Sequence, residues 1–425
     1  MRTLVLIILF NCVAFTSLRA QEQITRTLLK ADKLYIRRHY QKAVEYYVLY
    51  LQKYPKDYYA CRQAALCYDK LNDPYNAIDY WPLVVESSEA GDADYLAYAK
   101  SLLANDREPE AKKIFVFLSK SRNPAAAAWG KAYLNPVFAL ADTSTSRAIE
   151  ISDINTAASE ACPLIFNEKL FYVLNQNSGA KHYKAMDGES VQNIRIAVPK
   201  DSLHFIPSLL YEKLQLLNIH EQFSFSPGGE WLYFSRAVSN KEMKISSRVD
   251  FFRYQIFRLR MSTLKDPIPD IQPFEHNLPA FNNLHPCISP DGNWFVFSSD
   301  RKGSAGAMDI YLCVRNGESW SEPLNAGTEV NSTGNEVYPF ISYDNVLYFS
   351  SDQRPGMGGL DVFYSEFSDQ PETLFKPALN CRVPVNSRFD DFGIYVLKGG
   401  KKGYLSSKRK NNKDEDLYFF SLSQP

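Results

Sequence analysis

The residues with the strongest claim to chemistry lie in "FSSDRKGSAGAMDIY" (Phe297–Tyr311), which gathers serines, paired acids, glycines and a Lys/Arg pair. A phosphate loop, a calcium loop and a hydrolase elbow all draw on those residue types. Each assignment fails on spacing. "GSAG" (Gly303–Gly306) puts its serine in the wrong place for a G-x-S-x-G nucleophile turn, and the chain has no H-E-x-x-H. Asp300/Asp309 and Asp352/Asp361 flank glycine turns but lack the dense alternation of acids that a calcium loop uses. Asp309, Asp361 and Asp416 suit a different role, accepting hydrogen bonds from the amides of the turn before them. His39, His182, His204, His220, His276 and His285 pair with no cysteine or carboxylate at ligand spacing. No catalytic residue, cofactor site or metal site is assigned, and the chain reads as a non-enzyme.

The stretch recurs. "FSSDQRPGMGGLDVFY" and, in worn form, "LSSKRKNNKDEDLYF" repeat it toward the C-terminus. A wider unit repeats with it: "CPLIFNEKLFYVLN" (Cys162–Asn175), "FSFSPGGEWLYFSR" (Phe223–Arg236), "PCISPDGNWFVFSSDR" (Pro286–Arg301), "PFISYDNVLYFSSDQR" (Pro339–Arg354) and "GIYVLKGGKKGYLSSKR" (Gly393–Arg409). Each copy is a short strand, a turn and an aromatic-rich strand, and three continue into a third strand. The "PDGN" turn joins antiparallel strands. Strands repeating every fifty-odd residues predict propeller blades rather than an α/β enzyme. The copies sit 52 to 63 residues apart, so residues 145–425 divide into five blades better than into six, the alternative. "SRAIEIS" (Ser146–Ser152) is placed to supply the missing outer strand of the last blade and close the ring.

The N-terminal third repeats with a different period. Ala31, Ala65 and Ala99 are spaced by 34, as are Ala43, Ala77 and Ala111, Tyr47, Trp81 and Phe115, and Leu34, Tyr68 and Leu102. Small residues at two fixed points let paired helices approach closely, and an aromatic one turn later fills the gap between neighbouring pairs. "HYQKAVEYYVLYLQKYP" and "DPYNAIDYWPLVVE" read as second helices of such pairs, and Asn123–Leu140 as a capping helix. The fold class is therefore a multidomain α + β chain: an α-solenoid over residues 22–140, then a β-propeller over 145–425.

Before the solenoid, "MRTLVLIILFNCVAFTSLRA" has an early Arg, an apolar run and small residues ending at Ala20, the pattern of a secretory signal over residues 1–20. The lesser alternative is a lipoprotein reading on Cys12, with Asn11 a poor residue before it. No later stretch approaches the roughly 20 apolar residues a membrane helix needs. Lys+Arg and Asp+Glu tie at 48, which gives no concentrated basic surface for nucleic acid. Cys61, Cys67, Cys162, Cys287, Cys313 and Cys381 read as buried free thiols, the first two pointing to different faces of one helix.

Residues 24–125 resemble the tetratricopeptide repeat, "YQKAVEYYVLYLQKYP" most clearly, although the aromatic near the start of the first helix is weak (Thr27, Cys61, Tyr95) and the terminal Pro is present only at Pro55. The resemblance implies a concave groove that takes a peptide or helix of a partner, with Tyr35, Arg62, Asp69 and Lys100 on the groove side. "SPDGNWFVFSSDR" is similar to the TolB-type propeller repeat. The order of signal, tetratricopeptide repeats and propeller resembles exported Bacteroidetes proteins of the PorE kind, which serve the type IX secretion system. Those proteins often add an OmpA-like domain that binds peptidoglycan; here the chain stops at Pro425 without one, which makes direct anchoring unexpected. The resemblance implies a periplasmic, outer-membrane-associated scaffold whose partners are periplasmic or outer-membrane proteins. An envelope glycan or peptidoglycan binding module is the alternative, and a hydrolase or lyase using the propeller channel comes third. Blade two departs from the repeat at "SNKEMKISSRVDFFR", which makes Lys241, Lys244, Arg248 and Arg253 candidates to meet an acidic partner or anionic glycan.

Overall fold

The computed structural model describes residues 26–134 (except 38, 72 and 106), 147–175, 192–208, 213–214, 217, 219–246, 252–370, 372–410 and 414–422. The signal-like residues 1–20, Arg248 and His182 lie outside the described residues. The chain forms two compact units, residues 1–130 and 131–425.

The first unit is a run of helices: α1 (26–36), α2 (Tyr40–Leu51), α3 (Tyr58–Lys70), α4 (Pro74–Ala77), α5 (Trp81–Val85), α6 (Asp92–Ala104), α7 (Glu108–Leu118) and α8 (Pro124–Leu134). The boundary between the units falls within α8. All six alanines of the 34-residue columns are fully buried, as are Tyr47 and Trp81, with Phe115 nearly so. The close helix approach that those columns predict is what the core consists of. Gly130 extends the same logic: a Cβ there would lie 2.5 Å from the Phe115 carbonyl oxygen and 2.3 Å from the Ser119 nitrogen, so only glycine lets α8 lie on the end of α7.

One expectation is corrected. "DPYNAIDYWPLVVE" is not one helix but the two short pieces α4 and α5, separated by a turn at residues 78–80. Pro82 explains the break, because it has no N–H for the helical ladder and its ring collides with the carbonyl four residues back. The column residues Ala77 and Trp81 keep their buried places across it.

The second unit is a five-bladed propeller, as its repeat predicts, with a sheet for each copy. Blade one holds β2 (Ser159–Phe166), β3 (Lys169–Asn175), β4 (Gln192–Pro199) and β5 (Phe205–Ser208). Blade two holds β6 (Phe223–Phe225), β7 (Trp231–Ser239), β8 (Phe252–Arg260) and β9 (Ile271–Pro273). Blade three is β10 (Asn283–Ile288), β11 (Trp294–Ser299) and β12 (Asp309–Asn316), with β13 (Ser319–Trp320) and β14 (Leu324–Asn325) both pairing β12. Blade four is β15 (Glu336–Ile341), β16 (Val346–Ser351), β17 (Asp361–Glu366) and β18 (Leu379–Asn380). Blade five combines β19 (Asp391–Val396), β20 (Lys402–Ser407) and β21 (Asp416–Ser421) with β1 (Arg147–Glu150) as outer strand, in the register Ala148↔Phe420. The first strand of the unit thus completes its last sheet, and closure removes two exposed edges.

Outer strands of two to four residues cannot satisfy a whole third strand, and asparagines make up the difference. In four blades an Asn from the segment after the outer strand accepts from the N–H and donates to the C=O of one third-strand residue. The pairs are Asn277 with Ile256, Asn331 with Ile310, Asn386 with Val362 and Asn155 with Leu417, at 2.7–3.1 Å. An amide side chain carries one donor and one acceptor side, as a neighbouring strand would.

Candidate functional site

The opening stretch is structural. Asp309 accepts from the N–H groups of Ala305 (2.7 Å) and Gly306 (3.0 Å), and Asp361 accepts from those of Met357 and Gly358. The turn before Asp416 lies partly outside the described residues. The Ser-Ser pairs have divided duties. The second serine binds the start of its own blade's inner strand, as Ser351 does with Glu336 at 2.7 Å. In blades four and five the first reaches the next blade: Ser350 donates to the Asp391 carbonyl at 3.3 Å and Ser406 accepts from the N–H of Cys162 at 2.8 Å.

Around the axis the inner strands β2, β6, β10, β15 and β19 touch in a ring. Cys162, His285, Tyr338 and Gly393 sit at the bulges of four of them, and Glu221 lies just before β6. All five have φ between 54° and 56°, the left-handed region. A bulge re-aims the side chain it carries, and here the side chains form a polar cluster across blades. The Glu221 carboxylate accepts from His285 Nε2 and lies 3.7 Å from His220 Nε2. His285 stacks on Tyr338 at 4.2 Å, and Tyr338 packs against Phe392 at 4.7 Å. Burial opposes the charge on Glu221, but the two imidazoles and the Tyr338 hydroxyl hold its pKa at about 2. Beside it Lys408 Nζ lies 3.1 Å from Glu415 and 4.0 Å from Asp390. Burial opposes the Lys408 charge too, yet these acids raise its pKa.

Below the cluster, Gln222 Nε2 donates to the Pro339 carbonyl at 2.7 Å, joining blade two to blade four across the axis. The space left there, lined by Cys162, Gln222, Phe223, Cys287, Phe340 and Gly393, is about 20 Å³, room for about one water. A glycosidase needs two carboxyls about 5–9.5 Å apart with a sugar between them. At this axis one carboxylate is tied to His285 and two others to a lysine.

The residues singled out from sequence fall elsewhere. In the helical unit, Arg62 Nε bonds the buried Asp94 at 2.6 Å and so ties α3 to α6. Lys100 Nζ lies over the Trp129 ring at 4.1 Å, and Tyr35 meets Tyr40 edge-on at 5.5 Å. Asp69 is half-buried next to Trp81, and burial pushes its carboxyl up to about 7. In blade two the two ends of the inserted sequence lengthen the hairpin, as β7 and β8 pair out to Ser239↔Phe252. Lys241 and Lys244 are exposed at its turn, whereas Arg253 folds back to donate to the carbonyls of Ala280 and Phe252. Among the described residues, none of either set lines the space at the axis.

The axial residues escaped sequence reasoning because the five copies place unlike side chains there. The usable signal was Cys-Pro, His-Pro and Tyr-Pro inside three inner strands (Cys162-Pro163, His285-Pro286, Tyr338-Pro339), since a proline inside a strand marks a bulge.

Fold and site together define a chain of two parts, a helical-repeat unit and a five-bladed propeller with a closed axis. No family model matches it, and no curated protein does. Solved structures do. TolB from Acinetobacter baumannii is 16% identical and covers 60% of this chain and 52% of its own, with a TM-score of 0.31, so the chain spans about half the length of that TolB. A GH43 β-xylosidase/α-arabinofuranosidase from a compost microbial metagenome is 10% identical, with 66% and 96% covered and a TM-score of 0.41. An α-L-arabinofuranosidase from Lactobacillus brevis is 12% identical, with 64% and 94% covered and a TM-score of 0.38. These likenesses are of fold alone. No helix among the described residues is long and apolar enough to cross a membrane.

Proposed function

We propose that the protein is a non-enzymatic scaffold of the bacterial cell envelope, mediating protein–protein contacts in an outer-membrane-associated complex of the type IX secretion or gliding class. The observation that carries this reading is the closed axis: Glu221, His285, Tyr338 and Gln222 bridge blades where a propeller enzyme would admit substrate. What remains to offer is surface, on the helical repeats and on the propeller. The exported setting is inferred from residues 1–20, and the class of complex from the resemblance to PorE-like proteins. Crosslinking of the purified chain in envelope extract tests the reading. Recovery of defined envelope proteins, with no sugar released from xylan or arabinan, supports it; recovery of glycan alone, or sugar release, overturns it.

A second reading, binding of an anionic envelope glycan, is favoured by one surface feature. The half-buried Trp231 ring has the guanidiniums of Arg258 and Arg260 at 4.5 and 4.6 Å, and aromatic and cationic groups together suit acidic sugars. Loss of binding to acidic polysaccharide in Trp231→Ala would separate this reading from the first.

A further inference from the structure

A cavity lies between blades four and five, away from the axis, with a volume of about 640 Å³. That is within the roughly 300–1,000 Å³ of small-molecule sites. Its blade-four wall is Tyr348, Phe363, Tyr364 and Cys381, and its blade-five wall includes Ile394, Val396 and Phe420.

The blade-five wall of the cavity departs from the other blades in sequence. At one position of the second strand, blades one, three and four carry Leu170, Phe295 and Leu347, each fully buried. The pairing registers put Gly403 at that position in blade five. A Cβ on Gly403 would lie 2.7 Å from the Phe420 ring, so that ring settles over bare backbone. Across the third strand the volumes are exchanged: Leu170, Phe295 and Leu347 face Ala197, Cys313 and Ser365, whereas Gly403 faces Phe420, whose ring lines the cavity.

The charge on the lining has one sign. Arg354 and Arg382 line the cavity, and no carboxylate does among the described residues. Arg354 is held rigidly, with Nε donating to the Val330 carbonyl at 3.1 Å and Nη2 to those of Thr328 (3.1 Å) and Glu329 (2.9 Å). Arg382 is exposed at the rim. Aromatic and aliphatic walls with positive charge at one side are complementary to a molecule with an apolar body and one anionic end, which would meet the Arg354 charge from the side of Nη1, Nε and Nη2 being taken by those carbonyls.

We propose that this inter-blade cavity is a binding site for a small amphipathic carboxylate, its apolar body against Tyr364, Phe420 and Val396 and its carboxylate toward Arg354 and Arg382. The site is independent of the scaffold reading: it uses neither the axis nor the helical unit.

Calorimetric titration of the full chain with decanoate and 4-phenylbutyrate, each beside its uncharged amide, tests the proposal. Cys381 supplies a local reporter, because it lines the cavity and is half-buried, whereas Cys61, Cys67, Cys162, Cys287 and Cys313 are buried. At least one carboxylate is expected to bind, with its amide about tenfold weaker or more, a difference of about 1.4 kcal/mol. The bound carboxylate is expected to slow maleimide labelling of Cys381, read by peptide mass spectrometry. Arg382→Gln should weaken the carboxylate severalfold and leave the amide unchanged, and Cys381→Phe should abolish both. If Cys381→Phe loses its native circular dichroism, Arg382→Gln and the labelling decide alone. The proposal is overturned if neither carboxylate binds at millimolar concentration, if amides bind as well as carboxylates, or if binding leaves Cys381 labelling unchanged.

Discussion

The helical unit and the propeller are both built from repeats, yet they repeat different things. The helices repeat a side chain: six alanines at two fixed places, all buried, with an aromatic one turn on. The blades repeat a backbone shape and a set of polar clamps, and leave the side chains at the axis free to differ. Helices satisfy their own backbone groups, so their repeats need only fit. Strands do not. Blades whose outer strands are two residues long must find partners for every buried N–H, and asparagine, serine and aspartate provide them. Shape therefore holds one unit, and polar satisfaction the other.

The largest test of that contrast is Asp391→Ala. Asp391 is fully buried at the start of β19, 2.5 Å from Arg409 Nη2, and also accepts from the N–H and hydroxyl of Ser387. Its removal leaves a mostly buried guanidinium without its counter-ion, an expected loss of about 3–5 kcal/mol in denaturant unfolding followed by near-ultraviolet dichroism. A loss below about 1 kcal/mol would mean the polar network is incidental.

A matched pair of leucines comes next. Asn386→Leu keeps volume but leaves the Val362 N–H without an acceptor, for about 1–3 kcal/mol. The Val362 carbonyl retains the Cys381 N–H at 3.0 Å. Asn386→Asp keeps the acceptor but sets its second oxygen against Val362 O and Asn380 Oδ1, so it should recover part of the loss at acid pH, where that oxygen carries a proton and can donate. Ala65→Leu should cost the helical unit about 1–3 kcal/mol through overpacking alone, measured by helical dichroism, and no polar replacement of similar bulk should restore it. Equal rescue in both units would erase the distinction. A smaller effect is expected from Asp57→Ala, which removes the cap that accepts from the Ala60 N–H at 2.8 Å and should cost about 1 kcal/mol.

The same contrast explains what was legible in the sequence. Ala31, Ala65 and Ala99 announce the solenoid because identical residues recur where identical contacts recur. The break at Pro82 was written there too, but the 34-residue columns continue through it and hide it. Blade number and closure were readable from the turn chemistry around Asp309 and Asp361 and from the strand-like residues 146–152. The axial cluster was not, because Cys162, Glu221, His285, Tyr338 and Gly393 share a backbone conformation and no chemistry. The inter-blade cavity was illegible for a related reason. One of its walls is Phe420, the large partner of Gly403, and only the pairing register shows that this pair exchanges the volumes found in the other blades.

A last test, read in pH rather than in a single loss, sets one acid of each unit against the other. Burial pushes Asp69 up to about 7, with Lys70 and Lys100 only partly opposing it. The folded chain holds that proton over a range where the unfolded chain, near 4, has lost it, so stability from this group falls as pH rises from about 4 to 7. Glu221 runs the other way. Burial works against its charge, but His220, His285 and Tyr338 outweigh that and keep it near 2, against 4.5 when free. Its contribution is complete above about 4.5 and is lost as pH falls toward 2. Helical dichroism should therefore show a unit that weakens from pH 4 to 7, and near-ultraviolet dichroism a propeller that weakens below 4.5. The propeller also carries Asp416, raised to about 6 by burial, which adds a decline between 4 and 6, so the single-residue variants decide. Asp69→Asn should flatten the helical profile alone and Glu221→Gln the acid limb of the propeller alone. If Glu221→Gln leaves that limb unchanged, the axial cluster fills space as the alanines do, and the division between a shape-held and a polar-held unit fails at the centre of the ring.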